Sequence, residues 1–251
     1  MADLYQQAIW EADKLRQEVD LRLGAYEEVL PSLAGLNADL VILDLPYGIT
    51  SAQWDGAIDL EVLWELLRPT MASSAVVCAF AVQPFAAHVV VSNPTLFKYE
   101  LIWRKPNGTN PYQARQRPMR NHENLLIFGG SHYSPQMEVG NPYKWDSVRS
   151  KGAAARIGGG GRIENEGTRF PRSVLAFPQD RGLHPTQKPV ELCRWLIRSY
   201  SPSCGCVLDP TMGSGTSGVA ATLEGRSFVG IERDADFFGV AQDRTTDEPS
   251  V

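Results

Sequence analysis

A glycine-rich turn close to the end of the chain restricts the fold more than any other feature. Gly213, Gly215 and Gly218 spell G-x-G-x-x-G between an apolar run that predicts a strand and a segment that predicts a helix. Glycines in such a turn let a ligand approach the backbone at a helix N-terminus. Glu232 ends the next predicted strand, 23 positions after Asp209. A carboxylate there can accept hydrogen bonds from two ribose hydroxyls.

The position of this turn argues against an ordinary nicotinamide-dinucleotide domain, although the pattern alone fits any adenosine-containing cofactor. Only 19 residues follow Glu232, too few for the remaining strands of a dinucleotide fold. We therefore expect those strands to precede the turn, in a circularly permuted sheet. A glycine turn without a ligand is the alternative interpretation.

Predicted strands and helices alternate along the chain, which indicates an α/β sheet. Apolar runs predict strands at 38–43, 75–80, 99–103, 124–128, 206–208 and 227–231. Helical spacing of apolar residues predicts helices at 2–20, 60–67, 189–200 and 216–223.

A second motif, Asp44-Leu45-Pro46-Tyr47, follows the predicted strand 38–43. Ligands of α/β sheets lie at the carboxyl ends of strands, so these four residues are the predicted catalytic site. The Asp44 side chain and the Leu45 carbonyl can accept hydrogen bonds from an aromatic amino group and stabilise positive charge on its nitrogen. Pro46 stiffens the turn, and Tyr47 can stack on a base taken out of a duplex. A strand-ending turn without catalysis is the alternative.

Three motifs in this order resemble those of the permuted, β-type DNA amino-methyltransferases. The tetrapeptide is similar to the family's D-P-P-Y, and residues 184–189 (His-Pro-Thr-Gln-Lys-Pro) are similar to its H-P-T-x-K-P. Residues 209–215 (Asp-Pro-Thr-Met-Gly-Ser-Gly) are similar to its D-P-F-x-G-S-G. The resemblance implies a circularly permuted Rossmann-like methyltransferase fold with a mostly parallel seven-stranded sheet. It also implies S-adenosylmethionine as the cofactor.

The resemblance organises the chain into five parts. We expect an N-terminal helix at 1–20, a catalytic half at 21–128, a small inserted target-recognition region at 129–183, a cofactor-binding half at 184–240 and a tail at 241–251. The insertion is predicted because residues 129–183 contain a run of four glycines and no long periodic segment.

The same resemblance implies which residues bind the cofactor. Residues of the glycine loop would approach its methionine part, Glu232 its ribose, and the H-P-T-x-K-P segment its carboxylate. The implied cofactor-binding residues are Thr186, Lys188, Asp209, Met212, Gly213, Ser214, Gly215, Thr216 and Glu232.

Two positions depart from the family pattern. Leu45 replaces the first proline, but the expected contact uses its backbone carbonyl, so function should survive. Thr211 and Met212 stand where the family has an aromatic and a variable residue, and Met212 can fill part of the missing volume.

The charge distribution indicates a phosphate-facing surface in the middle of an acidic chain. The formal net charge is −5, yet residues 101–183 carry 13 Lys and Arg against 6 Asp and Glu. Uneven surface charge without a polyanionic partner is the alternative. The candidate DNA-binding residues are Arg104, Lys105, Arg115, Arg117, Arg120, Arg149, Lys151, Arg156, Arg162, Arg169 and Arg172. We expect double-stranded DNA as the partner, and the resemblance allows a homodimer because such enzymes often pair.

Cysteine spacing and hydropathy exclude several classes of protein. Cys78, Cys193, Cys204 and Cys206 form no C-x-x-C pair, so we predict no metal site and no structural disulfide. No apolar run is long enough to span a bilayer and no secretory signal is evident, so we expect a cytoplasmic protein without membrane contact.

The function expected from these features is site-specific methylation of the N6 amino group of adenine in DNA. A leading Asp in the tetrapeptide is typical of adenine enzymes, whereas β-type cytosine enzymes usually begin it with Ser. Three alternatives remain: a cytosine-N4 methyltransferase, a methyltransferase of RNA or of a protein amide, and a DNA-binding regulator without catalysis.

Overall fold

The computed structural model describes residues 18–46, 58–109, 111–146, 162–180 and 187–246. The chain divides into two compact units. The first comprises Met1–Ser134 and Ser173–Val251, and the second is Pro135–Arg172.

Within the described ranges, the first unit contains one large sheet of eight strands. In spatial order they are β1 (Val19–Leu23), β12 (Ser227–Glu232), β11 (Cys206–Asp209), β2 (Ala38–Asp44), β3 (Met71–Ala81), β5 (Arg120–Gly129), β4 (Phe97–Thr109) and β10 (Val174–Ala176). Neighbours are parallel except that β5 is antiparallel to both β3 and β4. The predicted α/β class and the mostly parallel sheet are confirmed. The late strands β11 and β12 lie between β1 and β2, as a permuted order requires.

The sheet has one strand more than the seven expected. The addition is β10, which pairs with β4 through only three residues at the edge of the sheet. Strand β10 lies inside the predicted insertion 129–183 but belongs to the main sheet.

The central strands are apolar because helices cover both faces of the sheet. Along β2, Leu40 and Ile42 belong to one hydrophobic cluster, whereas Val41 and Leu43 belong to another. This alternation follows from the two-residue period of a strand. Cluster one includes residues of α4 (Val190–Tyr200), α5 (Thr216–Leu223) and α6 (Ala235–Thr246), and cluster two includes residues of α1 (Tyr26–Val29), α2 (Leu60–Leu67) and α3 (Phe85–Ser92). No helix in the described part of the chain is both long and apolar enough to cross a membrane.

Two predicted boundaries need correction. Val19 and Asp20 begin strand β1, so they do not belong to the helix expected at 2–20; residues 1–17 lie outside the described ranges. Residues 241–246 were assigned to a tail, but they form the last half of α6, where Ala241 is fully buried.

Strands β4 and β5 are longer than the apolar runs at 99–103 and 124–128, from which they were predicted. Their pairing continues past Trp103 to the Thr109–Arg120 pair, with a register shift after Arg104. Side chains in this extension are mostly polar, so hydrophobic pattern alone does not indicate a strand there.

The described residues of the second unit form two small antiparallel ladders. Strand β6 (Glu138–Val139) pairs with β9 (Thr168–Arg169), and β7 (Tyr143–Asp146) pairs with β8 (Arg162–Asn165). Arg169 places its guanidinium 4.5 Å from the centre of the Tyr143 ring. It also donates to the side chain of Asn165, so this arginine holds the unit together.

Helix α2, whose buried residues share a hydrophobic cluster with Val41 and Leu43 of β2, begins with a side-chain cap. Asp59 accepts hydrogen bonds from the backbone N–H groups of Glu61 at 3.0 Å and Val62 at 3.2 Å. We expect Asp59→Ala to lower the free energy of unfolding by about 1 kcal/mol in urea denaturation, because two helix N–H groups lose their acceptor. Glu65→Ala, an exposed change in the same helix, should alter it by less than about 0.5 kcal/mol. Equal effects of the two variants would contradict the role of the cap.

Candidate active site

Three carboxylates end three neighbouring parallel strands. Asp44 is the last residue of β2, Asp209 of β11 and Glu232 of β12. Because these strands are parallel neighbours, their carboxyl ends lie along one edge of the sheet. Two motifs far apart in the sequence thus meet at one place.

The glycine loop joins β11 to α5 and is organised around Asp209. This buried carboxylate accepts hydrogen bonds from the Thr211 backbone N–H at 3.0 Å and from the Ser217 hydroxyl. Burial raises the pKa of Asp209 to about 7, in part offset by these two donors and reinforced by the charges of Asp44 and Glu232. Asp209 therefore fixes the loop through the two hydrogen bonds that it accepts.

Two glycines in this loop are needed for their backbone conformation. Gly213 has a φ of 54° and Gly215 a φ of 76°, both in the left-handed region. A Cβ on Gly215 would also lie 2.9 Å from the Cβ of Ala241 in α6. The loop can follow this path closely against α6 only because position 215 has no side chain.

The carboxylate of Glu232 is oriented by the loop itself. Gly213 donates its backbone N–H to Oε2 at 2.9 Å, and Asp234 donates to Oε1 at 2.8 Å. A carboxylate has about four acceptor positions, so each oxygen keeps capacity for a ligand hydroxyl. This geometry suits the ribose contact expected for Glu232.

Met212 is buried beneath the loop in the cluster that contains Phe228. A Cβ on Gly230 would lie 2.3 Å from its sulfur atom, so Met212 packs directly over β12. Its side chain is a structural support of the loop.

Arg244 of α6 is a functional candidate that the sequence did not indicate. Its Nη1 donates to the Ser214 carbonyl at 2.6 Å and lies 3.1 Å from the Ser214 hydroxyl and 3.2 Å from the Thr216 hydroxyl. Burial lowers the pKa of Arg244, with a smaller opposing effect of Asp180 and Cys193. Arg244 thus ties the loop to α6.

The loop also contacts the catalytic strand directly. The Thr211 hydroxyl donates to the Asp44 carbonyl at 3.3 Å, across 167 positions of sequence. Leu45 is buried in the second hydrophobic cluster, and Pro46 is partly exposed beside it. The start of the tetrapeptide is therefore anchored by packing and by the loop.

Among the described contacts, Lys188 forms an ion pair with Asp44 and none with the glycine loop. Its ammonium donates to Asp44 Oδ2 at 2.7 Å and lies 3.7 Å from Glu123 Oε2. Burial acts to lower the pKa of Lys188, but Asp44 and Glu123 raise it more, so the pKa ends above its ordinary value. The resemblance implies a place for Lys188 near the cofactor, and the structure shows its ammonium at Asp44, the predicted catalytic carboxylate.

The expectation that Lys105 contacts DNA is corrected by the structure. Lys105 is buried, pairs with Glu123 and lies 4.5 Å from the centre of the Trp103 ring. Its neighbour Arg104 is exposed, because successive side chains of β4 face opposite sides.

The other candidate DNA contacts differ in exposure. Arg115 and Arg117 are exposed, and Arg120 is partly buried in β5. In the second unit, Arg172 is exposed and 3.9 Å from Glu138, whereas Arg169 is engaged within the unit. Several predicted residues lie outside the described ranges: Tyr47, Arg149, Lys151, Arg156, His184 and Thr186, together with the side chain of Arg162.

Comparison with known proteins identifies the family. Residues 38–243 match the family model described as DNA methylase, for N6 and N4 methyltransferases. The type II methyltransferase M.XycI of Xanthomonas campestris pv. cyanopsidis is 32% identical over 145 residues, which are 58% of this chain and 43% of that relative. The chain thus spans less than half the length of this relative.

Solved structures share the fold at low sequence identity. The crystal structure of the M1.HpyAVI–SAM complex has a TM-score of 0.64 and 21% identity, and the match covers 91% of this chain and 99% of that one. PvuII DNA methyltransferase, described as cytosine-N4-specific, has a TM-score of 0.65 and 12% identity, with 94% and 89% covered. The family model matches most of the chain, and on that ground this protein belongs to the N6/N4 DNA methylase family.

Proposed function

We propose that this protein transfers a methyl group from S-adenosylmethionine to the exocyclic amino group of a base in double-stranded DNA, namely N6 of adenine. The observation that carries the proposal is the contact between the glycine loop and the catalytic strand, where Thr211 donates to the Asp44 carbonyl. This contact sets a cofactor-binding element beside a carboxylate that can hold an amine. Membership of the DNA methylase family supports the same reaction.

The residues at the sheet edge fit S-adenosylmethionine. Glu232 is oriented for ribose hydroxyls by Gly213 and Asp234, and the left-handed glycines leave the loop backbone open to a ligand. The carboxylates of Asp44 and Glu232 at this edge also favour a ligand with a cationic centre. When bound, this cofactor supplies a methyl group activated by a sulfonium.

Asp44 and Leu45 are proposed to hold the amine for attack. An aromatic amine is a poor nucleophile because its lone pair is delocalised into the ring. The Asp44 carboxylate and the Leu45 carbonyl would each accept a hydrogen bond from one N–H of the amine. These hydrogen bonds make the nitrogen more pyramidal and stabilise its developing positive charge. Most of the remaining catalysis is positioning, and no general base is needed before the transfer. Tyr47, outside the described ranges, is proposed to stack on the extruded base.

Adenine is proposed as the target because the tetrapeptide begins with Asp44. The fold itself serves either amino group, since one similar structure is described as cytosine-N4-specific. The exposed Arg104, Arg115 and Arg117 are the proposed phosphate contacts of the first unit, and Arg172 that of the second. Arg120, Arg149, Lys151, Arg156 and Arg162 remain sequence-based candidates for the same role.

Asp44→Asn tests the catalytic assignment. We expect at least about a 100-fold loss of kcat, because the neutral amide cannot stabilise positive charge on the amine. Labelled cofactor and a mixed-sequence DNA give the rate, and mass spectrometry of the digested nucleosides identifies the product as N6-methyladenine or N4-methylcytosine.

Asp39→Asn is the matched control for this test. Asp39 lies at the opposite end of the same strand, where its carboxylate accepts the Cys206 backbone N–H at 2.9 Å, and an amide oxygen can keep that bond. We expect near-normal activity from this variant. Methyl transfer to DNA by Asp44→Asn at the rate of Asp39→Asn would refute the assignment.

Leu45→Pro tests whether the backbone carbonyl is the working group at position 45. We expect the folded variant to keep kcat within about tenfold of the unaltered protein, because proline retains the carbonyl. Since the Leu45 side chain is 2% exposed, thermal unfolding should show a loss of stability of about 2 kcal/mol or more. A folded but inactive variant would contradict the carbonyl role.

A further inference from the structure

Four charged side chains of alternating sign form a row that ends at the active site. Lys105 pairs with Glu123, Glu123 faces Lys188, and Lys188 donates to Asp44. The distance from Lys188 Nζ is 3.7 Å to Glu123 Oε2 and 2.7 Å to Asp44 Oδ2. Two cations and two carboxylates give the row a net charge of zero.

The row is open at one end only. The side chains of Lys105, Glu123 and Lys188 are 9%, 11% and 7% exposed, whereas that of Asp44 is 25% exposed. The three inner members are thus shielded from water, and Asp44 alone of the four is substantially accessible to a ligand. Coulomb interactions are stronger along such a shielded row than at a surface.

Packing alone does not require this arrangement. Replacing buried ion pairs by apolar side chains is often neutral or stabilising, so such a row is weak evidence for a role in stability. Moreover, Glu123 Oε2 is buried without a hydrogen-bond partner among the described residues. This oxygen therefore acts on Lys188 through its charge across 3.7 Å.

Lys188 by itself would weaken the electrostatic stabilisation that the Asp44 carboxylate gives to the amine. A cation in contact with Asp44 holds that side chain in one orientation, but it also opposes the positive charge that must develop on the amine. A second carboxylate on the far side of Lys188 offsets the cation. Glu123 occupies that position.

We propose that Glu123 is a positioning residue for methyl transfer, which balances the charge of Lys188 so that Lys188 can orient Asp44 without neutralising it. This inference rests on the proposed function, because it assigns Asp44 the amine. Glu123 touches neither the substrate nor the cofactor in this role; it acts through Lys188.

The protonation states along the row agree with this role. Burial acts to raise the pKa of Glu123, but Lys188 and Lys105 lower it more, so the net pKa is below its ordinary value. Arg120 adds a smaller effect in the same direction. At neutral pH, Glu123 is thus ionised and Lys188 is charged.

The described groups that face Lys188 and enter this argument come from four elements. Asp44 of β2 and Glu123 of β5 are the carboxylates, and Cys193 of α4 is a buried thiol whose pKa is raised first by burial. The ring of Phe80 in β3 has its centre 5.1 Å from Nζ. Without Glu123, burial still lowers the pKa of Lys188, and the charge of Glu123 no longer opposes that effect beside Asp44. The pKa of Lys188 must therefore fall.

The test is Glu123→Gln, assayed for methyl transfer to DNA across pH. At neutral pH we expect kcat to fall about 10- to 100-fold, with the KM for cofactor changed by less than about threefold. The ratio of variant kcat to wild-type kcat should then rise at least about threefold between about pH 7 and pH 9.5, because Lys188 loses its proton more easily and frees the Asp44 charge. Glu123→Asp, which retains the charge, should recover part of the loss at neutral pH.

Glu224→Gln is the matched control. The Glu224 side chain is 10% exposed and also receives two cations, Arg194 and Arg198, each at 2.6 Å, yet it lies outside the row. We expect this variant to lose stability without a pH-dependent change in relative kcat. If Glu123→Gln does not fold, Lys105→Met/Glu123→Gln removes the unpaired buried cation, and the same rise with pH is expected of it.

Three outcomes would overturn the inference. Wild-type kcat in Glu123→Gln, or a loss that is constant across pH and matched by Glu224→Gln, would show that Glu123 has no specific role in catalysis while leaving the proposed function intact. Failure of the wild-type protein to methylate DNA would instead remove the proposed function and this inference together.

Discussion

The parallel pairing of β11 with β2 is the constraint on which the rest of the structure depends. Val207 pairs with Leu40 and Leu208 with Val41, so the two strands end at the same edge although they are far apart in sequence. Had the pairing been antiparallel, Asp44 and the glycine loop would lie at opposite edges of the sheet. Two hydrophobic clusters secure this pairing from both faces. The predicted catalytic and cofactor-binding elements therefore become neighbours through strand pairing and core packing.

The same edge concentrates negative charge, and each carboxylate is stabilised differently. Asp44 has the ammonium of Lys188, Glu232 has backbone N–H groups, and Asp209 is buried with a pKa raised to about 7. These differences separate the roles. Asp209 is engaged within the glycine loop, whereas the carboxylates of Asp44 and Glu232 keep acceptor capacity for ligands.

Local pattern was sufficient to predict six of the eight described strands of the main sheet, together with α2, α4 and α5. Helices 60–67 and 216–223 have the predicted bounds, since their apolar spacing is decided by local sequence. By contrast, the contact between Lys188 and Asp44 joins residues 144 positions apart, and Arg244 reaches the glycine loop only after α6 has packed. No local pattern encodes such contacts. The predicted helix extends over the first two residues of β1, although Val19, Leu21 and Leu23 have the two-residue period of a strand.

The alternation of side chains along a strand also determines which basic residues of the segment 101–183 are exposed. A count of basic residues treated Arg104 and Lys105 alike, but β4 turns one outward and the other into the charged row behind Asp44. Arg169 is likewise engaged, by Tyr143 and Asn165 within the second unit. The proposed electrostatic attraction of DNA therefore falls to the exposed arginines, and such contacts depend strongly on salt. Lys105 instead acts in a shielded interior, where salt screens charge far less. The basic stretch is thus divided between exposed side chains and a buried row, according to which face of a strand each side chain occupies.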